Sequence, residues 1–520
     1  MPTGGLMQLV SYGSEDLYLT GNPQVTLFKV VYQRHTNFAY EWIPQYFDTL
    51  IDLSPLSSTK MTVPIKRDGD LLRDLVYCID LPDIYSSYTD NFKWVKNIGQ
   101  VMINYVDLVI AGQRISRLYG QWLNIWSELS IDSSHRPGYN ELIGNTDDLY
   151  EPPVYTDQYN SSNYPAIKKK QLRVPLSFWF VQNPGLALPL ISMQYVDLRL
   201  DFEFRPLNEL FTVGIPSVSP STLFYLPFLE IQTNHQSLRN EYIQSNYTAS
   251  NLINKFIRGS WNQNSYVDAK YVYIDQDERR LFASSTTEYL MTHHERLTYS
   301  GLSGSNNQVD LNFFHPVKEM VWVYQRDDVN LRNQWTNYTT LLNDKDMSQF
   351  LKYKTNYETA LLFGLQPSSL LTVMLESGLL VGDFLTYINT TDVNNNSREI
   401  SNYDEYYNIF YNGSFLFNNM LRQEVKANNY YAYNEPYTAH TTGPGKNKQI
   451  YVYSFADKPE LLQPTGSANF SRLTNTQFQF NLKTPPPLNN EQNLFILYFY
   501  VKQINILRII GGIAQLVFAN

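Results

Sequence analysis

The chain has 520 residues, of which 17% are charged, and a formal net charge of -9. This acidic balance argues against a protein whose main task is to bind nucleic acid, because such proteins concentrate Lys and Arg on one face. A single cysteine excludes an intramolecular disulfide. The length and the 15% aromatic content favour two large β-rich domains, and the sparse charge favours contact with other copies or partners.

The first predicted strand follows the turn signal Gly21-Asn22-Pro23. Residues 25–32 carry apolar side chains on both faces, which predicts a strand that is covered on both sides. The run ends at Arg34, His35 and Asn37. No companion nucleophile or carboxylate is tied to the Arg34-His35 pair by a motif, so we expect these residues to hold the end of the strand by hydrogen bonds rather than to catalyse a reaction.

Residues 194–205 show the clearest strand pattern in the chain. Apolar residues from Val196 to Phe204 alternate without an error with charged residues from Asp197 to Arg205, which excludes a helix. Twelve extended residues span roughly 40 Å, which is long for a globular sheet.

Four further strands are predicted in the second half. Residues 270–274, 449–455 and 476–483 alternate, whereas residues 494–501 are apolar on both faces. Because no helices of crossover length separate these strands, we expect antiparallel sandwiches rather than βαβ units.

Several stretches lack periodicity and are interpreted as connections. Residues 217–251 are expected to form a connector or elaborated loop, and the Asn-rich residues 390–402 and 427–434 are expected to form long loops. Loops of this kind on rigid sandwiches commonly form the outward surface.

Motifs for catalysis are weak. The seven histidines do not have metal-ligand spacing, residues 442–448 fail the phosphate-loop pattern at two positions, and residues 301–305 lack the second glycine of a nucleophile elbow. No run reaches the roughly eighteen apolar residues of a membrane span. A glycan-binding or glycan-cleaving two-sandwich protein, suggested by the aromatic richness, and a metal-dependent jelly-roll enzyme of the cupin type stay open as alternatives.

A family resemblance adds to this interpretation. The opening GGLMQLVSYGSEDLYLTGNPQVTLFKVVYQRHTNFAYE closely resembles the N-terminus of the major capsid proteins of nucleocytoplasmic large DNA viruses. The likeness continues in order through blocks at residues 65–72, 106–129, 175–204, 271–283, 315–325, 453–472 and 505–520. Gln33 departs from the family pattern, in which an Arg often precedes the Arg-His pair.

The resemblance implies an all-β fold of two consecutive eight-stranded antiparallel jelly rolls, with short helices and long loops. We expect an N-terminal arm on the inner capsid face at residues 1–24 and a first jelly roll at residues 25–210. The second jelly roll is expected at residues 211–520 and begins with a connector at about residues 211–266. Structural or interface candidates are Arg34, His35, Asn37, Trp122, Trp126, Trp179, Asn183 and Pro184.

The implied function is structural, without catalysis, cofactor or metal. Three copies are expected to form a trimeric, pseudo-hexagonal capsomer, and capsomers to tile the icosahedral shell of a virion that is assembled in the host cytoplasm. Expected partners are neighbouring capsomers, minor capsid and penton proteins and internal membrane proteins. The outer loops are expected to face host receptors or glycans, and no direct contact with nucleic acid is expected.

Overall fold

A computed structural model gives the three-dimensional structure of the chain. It describes residues 3–30, 32–49, 53–54, 57–85, 91–150, 165–216, 223–226, 264–327, 329, 333–339, 408–444, 448–483 and 494–518.

Short helices and many strands make up the described residues. The helices are α1 (Gly4–Val10), α2 (Asp16–Thr20), α3 (Ile98–Val101), α4 (Gly120–Ser130), α5 (Arg136–Ile143), α6 (Asp147–Tyr150), α7 (Gln276–Ser284) and α8 (Glu435–Ala439). The strands before residue 275 are β1 (Phe38–Tyr46), β2 (Thr59–Pro64), β3 (Leu71–Leu81), β4 (Asn91–Trp94), β5 (Ile103–Ile110), β6 (Gln113–Tyr119), β7 (Lys170–Pro175), β8 (Leu188–Pro189), β9 (Leu198–Phe204), β10 (Phe211–Pro216), β11 (Leu223–Leu226) and β12 (Tyr266–Ile274). Those after it are β13 (Thr287–Leu302), β14 (Asn307–Asp310), β15 (Pro316–Arg326), β16 (Phe410–Phe417), β17 (Met420–Leu421), β18 (Lys426–Ala427), β19 (Tyr451–Ser454), β20 (Ala468–Asn469), β21 (Thr476–Leu482), β22 (Phe495–Ile510) and β23 (Ile513–Leu516).

Antiparallel sheets form a first sandwich. One sheet has the order β1-β12-β3-β7 with β8 beside β3, the other has the order β2-β9-β5-β6, and β4, β10 and β11 form a small third sheet. Strand β12 pairs with β1 on one edge and with β3 on the other. The prediction that residues after 210 belong to the second jelly roll is therefore wrong for residues 266–274, because this strand completes the first sheet from across the connector.

For residues 194–205, the predicted alternation of buried and outward side chains is confirmed, but the predicted strand length is not. Strand β9 comprises Leu198–Phe204, with its apolar side chains buried and its charged ones outward. Residues 194–197 form a turn, and the carbonyl of Asp197 accepts a hydrogen bond from the N–H of Ala111 (3.0 Å). The strand is thus roughly 23 Å long rather than 40 Å.

The second sandwich contains the two longest of the described strands. One sheet has the order β13-β22-β15-β19, with β20 beside β15 and β23 beside β22, and the other has the order β14-β21-β16-β17, with β18 beside β16. Strands β13 and β22 each have 16 residues and pair along most of their length. The prediction of covered faces at residues 494–501 is confirmed for the strand that follows Leu494, because all positions from Phe495 to Val501 are buried or half-buried.

The N-terminal segment extends away from both sandwiches. Residues 3–30 and 32–37 are all exposed, and α1 and α2 bury no residue. The strand predicted at residues 25–32 is absent from the described part of that segment, and the first strand is β1 instead. An apolar run without a partner strand in its own chain has no ladder of backbone hydrogen bonds to hold it extended.

The predicted loops have mixed outcomes. Residues 427–434 are not a long loop throughout, because Tyr430–Asn434 form a π-helical turn that leads into α8 and buries Tyr431. The loop predicted at residues 390–402 lies outside the described residues, as does most of the connector at residues 217–251, of which the structure describes strand β11.

The apolar interior divides into a larger and a smaller cluster. The larger one fills the first sandwich and continues into the second half through residues such as Tyr289, Val323 and Tyr500. The smaller one fills the second sandwich around Trp322. In the part of the chain that the structure describes, no helix is long and apolar enough to cross a bilayer.

Candidate functional site: the seam between the sandwiches and the exposed arm

The candidate residues from the sequence do not converge on one site. Arg34, His35 and Asn37 lie on the exposed chain before β1. His35 Nδ1 lies 2.7 Å from the carbonyl oxygen of its neighbour Thr36, and the backbone N–H of Asn37 donates to Asp275 Oδ2 (3.3 Å). These contacts locate the start of β1 against the end of β12, and the role of the three side chains within an assembly stays a prediction.

Trp179, Asn183 and Pro184 lie on two 3-10 turns beside the first sandwich. Trp179 is buried and packs against Tyr289, with the ring centroids 6.0 Å apart. Asn183 is exposed and caps its turn, since its Oδ1 accepts from the N–H of Gly185 (2.8 Å), and Pro184 occupies the first position of that turn. The tryptophan is therefore a core residue within the chain, whereas the Asn-Pro pair lies on the surface.

Trp122 and Trp126 lie on α4, which packs along the boundary between the two sandwiches, here called the seam. The helix begins at Gly120, and this position requires glycine because a Cβ there would come 2.0 Å from the carbonyl oxygen of Ile103. Trp122 is fully buried and stacks on Trp126 at 5.6 Å, while its other neighbours are Tyr500 at 5.2 Å and His294 at 4.4 Å, both from the second sandwich. One helix thus joins the two halves through large apolar rings.

Hydrogen bonds cross the same seam. The Tyr500 hydroxyl donates to Gln121 Oε1 at 2.6 Å. The amide of Asn333 donates to the carbonyl oxygens of Asn208 (2.8 Å) and Phe211 (2.9 Å). The two bonds from Asn333 satisfy backbone acceptors at the end of the first half, so the two halves share polar contacts as well as apolar area.

A buried charged cluster lies on the second-sandwich side of the seam. Glu319 Oε2 lies 2.9 Å from His440 Nε2, and Glu319 Oε1 lies 3.6 Å from Lys502 Nζ. His440 Nδ1 also lies 2.9 Å from Glu460 Oε1. The Lys502 ammonium lies 3.9 Å from the ring centroid of Trp126, which connects this cluster to α4.

The members of this charged cluster stabilise one another's ionised forms. Burial acts to lower the pKa of His440, but Glu319 and Glu460 outweigh it and raise the value to about 9. Burial acts to raise the pKa of Glu319, but His440 and Lys502 lower it overall. Burial also lowers the pKa of Lys502 in spite of the neighbouring carboxylates. His440 and Glu319 thus favour each other's charged forms, whereas burial acts against the charge of Lys502.

Two further histidines near the seam favour the neutral form. Burial, together with the neighbouring His315, lowers the pKa of His293 to about 4. Burial, together with Lys502, places the pKa of His294 well below its ordinary value. Both histidines lie on β13, at the positions that pair with Gln503 and Lys502 on β22.

Sequence reasoning did not identify Glu319, His440, Glu460 and Lys502 as a cluster. These residues are far apart in the chain and meet only after the sheets have formed. One signal was available, because Lys502 ends the apolar run that begins at residue 494, and Lys318 and Glu319 directly precede the apolar residues 320–324 of β15. Charged residues inside such strands rarely stay buried unless they are paired.

The described residues provide no cluster of metal ligands, and the described cavity is lined mainly by amides. Among the residues that the structure describes, no group of three or more His, Cys, Asp or Glu side chains could hold a metal ion. An open polar cavity of about 250 Å³ lies on the β14-β21-β16-β17 sheet of the second sandwich. Its amides pair with one another, as in the bond from Asn481 Nδ2 to Asn412 Oδ1 (2.8 Å) and that from Gln479 Nε2 to Gln308 Oε1 (3.1 Å).

Comparisons with known proteins match both halves of the chain. The family model described as "Major capsid protein N-terminus" matches residues 26–275, and the one described as "Large eukaryotic DNA virus major capsid protein" matches residues 278–515. The chain is 32% identical to the major capsid protein of Phaeocystis pouchetii virus, over 99% of this chain and 100% of the relative. It is 30% identical to that of Pyramimonas orientalis virus, with the same coverage.

Solved structures share the fold. A chain in the quasi-atomic model of the PBCV-1 virus capsid has a TM-score of 0.61 and 23% identity, covering 95% of this chain and 100% of that one. The Faustovirus major capsid protein has a TM-score of 0.61 and 11% identity, covering 97% and 96%. The two sandwiches are therefore consecutive jelly rolls, and the chain belongs to the family of major capsid proteins of large eukaryotic DNA viruses.

Proposed function

We propose that this chain is a structural major capsid protein that self-assembles into trimeric, pseudo-hexagonal capsomers of an icosahedral virus shell. One observation carries the proposal: relatives named major capsid proteins correspond to this chain from end to end and across both jelly rolls. A shell subunit works by presenting fixed surfaces to its neighbours, and it needs no catalytic residues to do so.

The construction of the seam supports this role. Trp122 and Tyr500 are fully buried between the two jelly rolls, so the pair forms one rigid block rather than two domains on a linker. Three such blocks place six jelly rolls around an axis, which gives a trimer a pseudo-hexagonal outline. Rigid blocks keep the angles between neighbours constant, as closed assembly requires.

The exposed apolar residues support self-association. Leu27, Phe28 and Val30, which lie between the arm and β1, are 90%, 98% and 90% exposed, and Trp42 on β1 is 43% exposed. Apolar surface of this extent is typical of surfaces that become buried in an assembly.

The proposed location is the capsid shell of a virion that is assembled in the host cytoplasm. The partners proposed beyond other copies of the chain are minor capsid, penton and internal membrane proteins, with receptors or glycans at the outer loops. The arm is proposed to lie on the inner face of the shell. The glycan-binding alternative gains no support, because Trp122, Trp179 and Trp322, which helped to suggest it, are fully buried.

Mass in solution tests the proposal. The purified full chain should sediment at close to 182 kDa, three times the chain mass of 60.6 kDa, and show hexagonal outlines by negative-stain electron microscopy. A well-folded monomer of 60.6 kDa at all accessible concentrations would contradict the proposed assembly.

A further inference from the structure

Residues 25–32 present a contradiction between sequence and structure. They have the strongest strand signal in the first fifty residues, with the sequence VTLFKVVY, yet the described residues among them form no strand and are exposed. Their backbone makes no sheet hydrogen bond in the described structure, and the N–H of Phe28 donates only to the side chain of Thr26 (3.4 Å). A sequence of this type extends stably only when a second strand satisfies its backbone.

The strand that follows, β1, has an open edge. Within the part of the chain that the structure describes, β1 pairs with β12 alone, so alternate backbone groups of Phe38–Tyr46 point away from the sheet. The rings of Phe38, Tyr40 and Trp42 are 46%, 47% and 43% exposed on one face. Strand edges of this kind accept an added strand from another chain.

The two segments complement each other in one antiparallel register. Lys29 is the only charged residue in residues 25–32, and Glu41 is the only one in β1. Placing these two opposite each other brings all eight residues of the segment against β1. The same register brings Phe28 opposite Trp42 and Val30 opposite Tyr40 on the face with the exposed rings, which is the kind of cross-strand pair that stabilises sheets.

Pro44 sets the limit of this pairing. It has no N–H to donate, and proline within a sheet belongs on an edge with its nitrogen turned away from the ladder. The ladder is therefore expected to run over residues 38–43 of β1 and to end there, at the point where Gln45 and Phe47 turn into the buried part of the first sandwich.

The five residues between the segment and β1, residues 33–37, favour pairing with another copy. A hairpin within one chain requires residues 33–37 to reverse direction, but none of them forms a hydrogen-bonded turn, none is glycine and none has a positive φ. The N–H of Asn37 is held by Asp275 instead. An extended connector that leaves its own strand edge open is the geometry of strand exchange between identical subunits.

We propose that residues 25–32 of one copy add to the free edge of β1 in a second copy, antiparallel and with Lys29 opposite Glu41. This inference rests on the proposed self-assembly and assigns to it a specific contact. The partner is a second copy of this chain, and the added strand covers the rings of Phe38, Tyr40 and Trp42. The exposure of these apolar groups in a single chain then has a defined purpose.

Cysteine cross-linking tests both the register and the exchange. The single native thiol, Cys78, is fully buried, so introduced cysteines report alone. Lys29→Cys and Glu41→Cys are co-expressed as separate chains, assembled and oxidised with diamide. A disulfide between them joins two chains and should give a covalent species of about 121 kDa on a non-reducing gel, because opposite residues in an antiparallel pair lie within disulfide reach.

The matched control combines Lys29→Cys with Tyr40→Cys, in which the second residue lies on the opposite face of β1. It should yield at least roughly ten-fold less cross-linked product. The double variant Lys29→Cys with Glu41→Cys in one chain should also form covalent oligomers.

Each contrary outcome is distinct. Trimers that form without cross-linking of the co-expressed pair would overturn the inference and leave the proposed function intact. A disulfide confined within single chains of the double variant would show a hairpin and would also overturn it. Chains that never assemble would contradict the proposed function itself.

Discussion

The cores of the two jelly rolls are built from different side chains. The first core is mainly aliphatic, and about a quarter of its buried apolar residues are aromatic. In the second core more than half are aromatic, and they surround Trp322, which stacks on Phe499 with a centroid distance of 5.5 Å and an interplanar angle of 4°. The same fold is thus filled in one case by many small interchangeable groups and in the other by rings around one centre.

This difference predicts how well the core of each half tolerates substitutions. An aliphatic core can shift several branched side chains to close part of a gap, whereas interlocked planar rings have few alternative arrangements. We therefore expect the second jelly roll to be the less forgiving of the two.

Trp322→Ala should be the most destabilising of these changes. The ring is fully buried, and the ring centroids of Phe478 and Tyr431 each lie 5.2 Å from its own. Its removal should therefore cost about 3–5 kcal/mol of unfolding free energy. Leu200→Ala in the first core should cost less, about 2–3 kcal/mol. Urea unfolding of both variants measures the two costs.

Trp322→Phe is the control, since it keeps a ring in place and should recover most of the loss. Equal or larger destabilisation by Leu200→Ala would contradict the proposed difference between the cores.

The seam adds a third environment, which is charged where the cores are apolar, and pH tests it. The folded pKa of His440, about 9, lies above its ordinary value of 6.5. Its stabilisation is therefore complete below pH 6.5 and is lost as the pH rises through 9, by up to about 1.4 kcal/mol per pH unit. His440→Gln should flatten this alkaline limb of a melting-temperature profile.

The exposed His135 supplies the matched control, because His135→Gln should leave the alkaline limb as in the unchanged chain. The acid limb should persist in both variants, because the pKa of His293 is shifted in the opposite direction to that of His440. Its folded pKa of about 4 lies below 6.5, so stability falls as the pH decreases from 6.5 to 4. An alkaline limb that persists in His440→Gln would contradict the role of the charged cluster.

Asn183→Ala should have the smallest effect. Its Oδ1 caps a short exposed turn, and the loss of one such hydrogen bond should cost no more than about 1 kcal/mol by thermal unfolding, with Gln182→Ala as an exposed control. A loss of trimer mass without loss of chain stability would instead identify Asn183 as an interface residue. Destabilisation as large as that of Leu200→Ala would contradict a surface position.

The alternation of apolar and charged residues predicted correctly which face of a strand is buried. The alternation from Leu198 to Phe204 was sufficient to assign the buried face of β9, because period two follows from backbone geometry. It could not determine the strand's start, since Val196 and Asp197 continue the same alternation but lie outside the strand, where the carbonyl of Asp197 accepts from the N–H of Ala111. A tertiary contact decided that boundary.

Contacts between distant residues escaped prediction. Glu319 and Lys502 meet because β15 and β22 are neighbours, and β12 belongs to the first sheet because it lies between β1 and β3. Residues 25–32 illustrate a different limit of prediction. Their pattern is that of a strand, but under the proposed exchange the strand that pairs with them belongs to another copy of the chain.

The sharing of one apolar interior across the seam has a consequence for synthesis. The larger core, which fills the first jelly roll, also contains Leu507, Ile509 and Ala514 near the end of the chain. During translation, the first half therefore leaves the ribosome before its interior can be completed. A nascent chain halted before β22 exposes apolar surface in both halves at once, and such surfaces lead to aggregation. Completion of the first core is thus coupled to the synthesis of β22 and β23.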